Sequence, residues 1–378
     1  MNQIFLSKRG LAPASIGAAI FCLLLIVGCV ISPRRIVGGG TGGTPTPTPT
    51  ATPTPNPAAA GKLYVMNSTT NSLLRFDNAF TANGNATPAA TIVGSNTTFS
   101  SPNYMTLDAA NDRLYIANTG DLSILIYDNI STKTGNVAPN RIIAGAVNTT
   151  LIGPVDVSLD RVRNLLYVAD DQQVVVFASA STANGDIAPA RILTTTFALG
   201  VAAVFIDANN DRLYAADPSG NAIAVYDNAS TLPTSTITPN RTIQGTSTQL
   251  STPSGIQIDS VGRLVVSNAT PCTSPSPCAT TTPVSITIYS NAAGANGNIA
   301  PVAEISGSNT GMSVPNQIAV DPSGTGTVYS ADPGAARVAV FANLNTANGN
   351  IAPNRSISGA STGLTATGSV GVAIDNTR

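Results

Sequence analysis

The sequence predicts an all-β fold, a six-bladed β-propeller with four antiparallel strands per blade. A Leu-Tyr step, or its equivalent, recurs at Leu63, Leu114, Leu166, Leu213, Leu264 and Val328, at spacings of 51, 52, 47, 51 and 64 residues. A repeat of about this length is a propeller blade's. Each period holds four short runs rich in β-branched and aromatic residues, too short for helices. Hydrophobic residues make up 43% of the chain against 10% charged, and their regular alternation argues for a packed core rather than disorder.

Before the repeats, residues 1–28 combine a basic start (Lys8, Arg9) with an apolar run that begins at Ile16, a secretory signal pattern. Ile26-Val27-Gly28-Cys29 resembles the lipobox of bacterial lipoproteins. That resemblance implies cleavage before Cys29 and a lipid on its sulfur, with Val30 favouring outer-membrane sorting. The other reading is an uncleaved anchor, since the stretch from Gly10 to Ile31 is long enough to span a bilayer. Either way the sequence predicts an exported protein tethered to the cell envelope through a lipid or helix. Residues 29–61 form a stalk: glycines give a flexible joint, and the Pro-Thr alternation favours polyproline II, roughly fifteen residues or about 45 Å of spacer.

The propeller is expected over 62–378. The first strand of each copy ends in an apolar residue and Asp: Asp108, Asp160, Asp207, Asp259, Asp321 and Asp375. These recur in every copy, so they are expected to accept hydrogen bonds from their own turns rather than to form a catalytic cluster. The second strand reads LYVMN, LYIAN, LYVAD, LYAAD, LVVSN and VYSAD, and the third reads like IAVYD. The fourth follows Pro and carries Arg141, Arg191, Arg241 and Arg355, which predicts an exposed outer edge guarded by charge. Between strands three and four, motifs such as TANGNIAP recur, and their Asn-Gly step predicts a positive-φ reversal with a structural role.

In the fifth copy an inserted Pro/Ser-rich loop carries Cys272 and Cys278, which in an exported domain predict a disulfide. The insertion accounts for the long spacing. Because the repeats begin on a second strand and end on a first, residues 370–375 are predicted to pair with 62–67 and close the ring. A monomer is expected.

The motif ID-turn-LYVAD-turn-V-V-Y/F resembles the NHL-repeat propellers and, more loosely, YVTN-type and gluconolactonase-like six-bladed propellers. The resemblance spans the repeat region and implies the fold, which hosts binding modules and enzymes alike.

Function is expected where repetition fails. At the channel mouth, where each first strand begins, Asn103, Asp156, Asn316 and Gln317 are the strongly polar residues. The chain has no histidine, and its one glutamate is Glu304, so Ser–His–Asp and Cys–His machinery and histidine metal sites are excluded. A net charge of −1 gives no footprint for nucleic acid. The favoured reading is a non-catalytic binding module for a protein, peptide or glycan, with no cofactor. The alternative is an exported divalent-metal-dependent lactonase, with Asp156 and the two asparagines mimicking a Ca²⁺ site.

Overall fold

Six antiparallel sheets of the repeat region form a six-bladed propeller in the computed structural model, which describes residues 60–271, 281, 283–321, 326–366 and 368–378. The signal segment, Cys29, nearly all of the stalk, and Cys272 and Cys278 lie outside the described residues.

Blade I pairs Ser369–Asp375 with Lys62–Asn67, Ser72–Phe76 and Ala90–Val93. Blade II is Pro102–Asp108, Arg113–Asn118, Ser123–Asp128 and Arg141–Ile143; blade III is Pro154–Asp160, Leu165–Asp170, Gln173–Ala178 and Arg191–Thr194. Blade IV is Ala203–Asp207, Arg212–Asp217, Ala222–Asp227 and Arg241–Gln244; blade V is Pro253–Ile258, Leu264–Asn268, Ser285–Tyr289 and Ala303–Ser306. Blade VI is Ile318–Asp321, Thr327–Asp332, Arg337–Ala342 and Arg355–Ser358. The two ends of the repeat region close the ring as the sequence predicts: Leu63 faces Ile374 and Val65 faces Val372.

The core lies between blades, not within them. One cluster joins Val174 and Val176 of blade III to Leu213 and Tyr226 of blade IV; another joins Leu63 and Val65 of blade I to Tyr329 and Val340 of blade VI. Each sheet is therefore apolar on both faces, which is why its strands read as apolar runs rather than strict alternation. The second-strand tyrosines Tyr64, Tyr115, Tyr167, Tyr214 and Tyr329 are fully buried.

The aspartates that end the first strands are scaffold. Asp160 accepts from the Arg163 N–H, Asp259 from the N–H groups of Val261 and Arg263, and Asp375 from the Thr377 N–H. Asp108 and Asp207 accept from the amides of Asn111 and Asn210.

The outer strands differ from the sequence expectation. Their edge is covered by the repeated Asn-Gly loop of the next blade. Gly135 bridges in parallel to Ile92, Gly185 to Ile143, Gly297 to Ile243, Gly349 to Ile305 and Gly84 to Ile357. In the degenerate copy a two-residue strand, Ser235–Thr236, does the same to Leu193 and Thr194. The loop makes the expected positive-φ reversal between strands three and four, and it is also a clasp onto the neighbouring blade. Its asparagines complete it: Asn184 Oδ1 accepts from the Ile142 N–H at 3.0 Å, and Asn298 Oδ1 from the Ser247 N–H at 2.7 Å. The arginines of the outer strands are half-buried instead of exposed. Arg141 and Arg241 pair with Asp128 and Asp227, while Arg355 lies 5.6 Å over the Tyr329 ring.

Candidate functional site

The innermost strand of each blade borders the central channel. It starts on what we call the entry face and ends, at the first hairpin, on the exit face. Near the start a β-bulge interrupts the register in blades I, II, III and V. The bulge shifts the pattern so that Tyr104, Asp156, Ala203, Gly255, Gln317 and Gly371 occupy one layer across the channel. Asp156 faces Gln317 across the ring, while Tyr104 is opposite Gly255 and Ala203 opposite Gly371. Gly371 is required: a Cβ on it would lie 2.8 Å from the Asn103 carbonyl and 3.1 Å from Met66 Cβ.

Gln317 is the hub of this layer. Its Oε1 accepts from the N–H groups of Met105 (3.3 Å) and Val372 (2.9 Å), and its Nε2 donates to the Met105 carbonyl (2.9 Å) and to Asp156 Oδ1 (3.3 Å). Asp156 accepts from the Val157 N–H on Oδ1 and the Val204 N–H on Oδ2. An innermost strand is an edge strand whose inward N–H groups have no ladder partner, and a buried donor left unpaired is costly. Asp156 and Gln317 supply those acceptors. Both are buried, and burial pushes the Asp156 carboxyl up to about 8 against the opposing pull of the Val204 and Val157 N–H groups. Burial, with Asp156 nearby, also raises the Tyr104 hydroxyl well above its ordinary value.

Of the four residues singled out by the sequence, Asn103 and Asn316 line a cavity of about 540 Å³ on the entry face, with Thr119, Asp171, Ile152 and Leu199. Asp156 and Gln317 lie deeper and border a cavity of about 880 Å³ that opens on the exit face. Sequence reasoning missed that these two are bound to each other and to the backbone of other blades. The sign was present in the sequence: both stand at a position where three other copies place Ala203, Gly255 and Gly371. Ile152 and Leu199 were also missed, and they are 58% and 75% exposed at the rim of the entry-face cavity. The inserted loop starts on this same face, where the Ser251 hydroxyl donates to the Pro271 carbonyl.

The residues do not fit a divalent cation. Ca²⁺ takes several oxygen ligands with high charge, whereas the one carboxylate of the layer faces three N–H donors. Among the described residues no three His, Cys, Asp or Glu side chains group in a way that would hold a metal ion.

No family model matches the sequence, and no curated protein matches it either. Solved structures do match. A chain of a nidogen/laminin complex superposes with a TM-score of 0.53 at 13% identity, over 83% of this chain and 98% of that one. A functionally unknown protein from Desulfotomaculum acetoxidans DSM 771 gives 0.48 at 11% identity, over 78% and 79%. Kuenenia stuttgartiensis hydrazine synthase gives 0.48 at 17%, over 79% and 80%. The first of these likenesses is one of fold alone.

Proposed function

We propose that this chain is an envelope-tethered propeller of the NHL/YVTN-like kind, exported by residues 1–28, held by a lipid on Cys29 and acting as a non-catalytic binding module for a protein, peptide or glycan. The observation that carries the reading is the entry face. There the repeat breaks, two large aliphatic side chains, Ile152 and Leu199, stand exposed, and Asn103 and Asn316 bring amide donors and acceptors into the cavity beside them. Exposed aliphatics beside convergent polar groups are what a recognition surface requires. The inserted loop starts at this face, at Pro271, and a Cys272–Cys278 disulfide within it is part of the same proposal.

A photo-crosslinking residue at Leu199, compared with one at exposed Val302 just before an outer strand, tests the site in intact cells. A partner crosslinked from position 199 and not from 302 is the expected result; equal labelling from both, or none, overturns the assignment to this face. Mass spectrometry of the mature N-terminus tests the anchor separately. A diacylglycerol-modified Cys29 is expected, and an unmodified residue 29 inside an intact leader overturns it.

A further inference from the structure

We infer that the exit-face cavity is a second, separate site, which takes a small polyhydroxylated ligand such as one sugar ring. The argument begins with strand parity. In an antiparallel pair, residues alternate between those that bond to the partner strand and those whose N–H and C=O point away from it. Met105 and Val372 use Gln317 and Val204 uses Asp156, so these positions point into the channel. Two residues further along, parity turns Leu107, Ile374 and Ile206 inward as well. In blade V the Asp259 N–H donates to the Arg263 carbonyl within the ladder, which turns Ile258 inward. In blade VI the Gln317 carbonyl accepts from the Ala331 N–H, which turns Val320 inward. Leu159 of blade III follows the same register.

The result is a ring of backbone groups around the cavity at Leu107, Leu159, Ile206, Ile258, Val320 and Ile374, all of which line it. One is answered by protein: the Ile206 N–H donates to Ser158 Oγ at 3.0 Å. The layer above is answered by Asp156 and Gln317. The remaining N–H and C=O groups of the ring face the cavity and are open to a ligand that both donates and accepts.

The side chains of the same ring are aliphatic; five of the six are half-buried, packed against the cores between blades where these reach the cavity wall, with Phe205 and Gln257 beside them. A site that alternates apolar walls with neutral amide donors and acceptors matches a sugar ring, whose C–H faces are apolar and whose hydroxyls both donate and accept. At about 880 Å³ the cavity lies within the range of small-molecule sites. The charged groups of the lining are already engaged: Arg161 pairs with Asp108 and Asp259 with Arg263, Asp207 accepts from the Asn210 amide, and Asp156 accepts from Val157, Val204 and Gln317.

Methyl glycosides of glucose, galactose, mannose and N-acetylglucosamine, each at millimolar concentration, serve as probes for the 60–378 propeller within the full exported chain. Maltotriose, with cyclohexanol as the apolar control, completes the set. Saturation-transfer NMR is expected to show at least one glycoside in contact. In amide spectra the N–H signals of Leu107, Leu159, Ile258, Val320 and Ile374 should shift, while Met105 and Val204, already bonded, stay in place. Binding of the monosaccharides shows a site for a free sugar; binding of maltotriose alone shows a site for a chain end, and either supports the inference. Gln257→Phe narrows the cavity and should lower the affinity at least tenfold with the melting temperature held; Thr106→Phe is the second variant should the first not fold. No transfer to any sugar, equal binding of cyclohexanol, or shifts confined to the entry face overturns the inference.

Discussion

Gln317 Nε2 donates to Asp156 Oδ1 across the centre of the ring, joining blade VI to blade III, which lies opposite it. With its bonds to Met105 and Val372, this one side chain ties four of the six blades together. Replacing it by Ala leaves two buried N–H groups and a carbonyl unanswered. The expected cost is about 2–4 kcal/mol, read as a lower urea midpoint with an unchanged slope. A midpoint equal to the parent's would mean that the layer carries no stability.

The buried Asp156 gives stability an alkaline slope. Its folded value of about 8 lies above the ordinary 3.8. Between those values the folded state holds a proton that the unfolded state has released. Stability then falls as pH rises from about 4 to about 8, by roughly 1.4 kcal/mol per pH unit, and levels off above. Urea midpoints from pH 4 to 9 should show this decline. Asp156→Asn, which cannot ionise, should be less stable at pH 5 and should flatten the decline; an unflattened curve assigns it to other groups.

The acid side has the opposite sign. Hydrogen bonds from Arg241 and Arg212 hold the Asp227 carboxyl down at about 2, and Asp128 is lowered through Arg113 and Arg141. A depressed value stabilises the fold above the ordinary 3.8 and loses that contribution as pH falls from about 4 to about 2. Both carboxylates are partly exposed, so each adds on the order of 1 kcal/mol after screening. The contributions of these carboxylates and of Asp156 thus run in opposite directions, the first lost as pH falls and the second as pH rises. Asp227→Asn should shrink the acid loss at pH 2.5 relative to pH 5. An unchanged ratio would sink the assignment.

The fold was legible because a repeat states its own register. Each copy shows which residues end a strand, and the unmatched strands at 62–67 and 370–375 show the closure. Partners between blades were less legible, because alternation along one strand carries no record of what the next blade presents. The clasp is the clearest case. Asn184-Gly185 reads as a local turn, and nothing near it in sequence says that Ile142 and Ile143, on another blade, receive it. The same limit hid the bond between Asp156 and Gln317, which are 161 residues apart.

Two glycines distinguish the conformational demand of a clasp from its packing demand. Gly297 sits at φ +70 with open space where a Cβ would go, whereas at Gly245 (φ +126) a Cβ would lie 2.6 Å from Asn298 Cγ. Gly297→Ala should therefore cost about 1 kcal/mol, from backbone conformation alone. Gly245→Ala adds the loss of the Asn298 bond to the Ser247 N–H, so at least twice that is expected. Thermal melts of the two variants side by side check the order, and equal costs would mean that the loop yields freely.

Ring closure makes the last strand worth more than its length. Ser369–Asp375 pairs with Lys62–Asn67, and its Val372 belongs to the cluster that joins blades I and VI. Val372 also donates its N–H to Gln317, and Arg378 pairs with Asp375. Removing residues 369–378 strips blade I of its inner strand, exposes the edge of Lys62–Asn67 and opens one of the ring's interfaces. Such an edge invites pairing between chains. The truncated protein should melt more than 10 °C below the parent, since several kcal/mol are lost and each shifts the melting point by about 2–4 °C. It should also associate in a concentration-dependent way by light scattering. Adding the 369–378 peptide in trans should restore monomers; a truncated chain that stays monomeric with the parent's melting point would show that the ring holds without its closing strand.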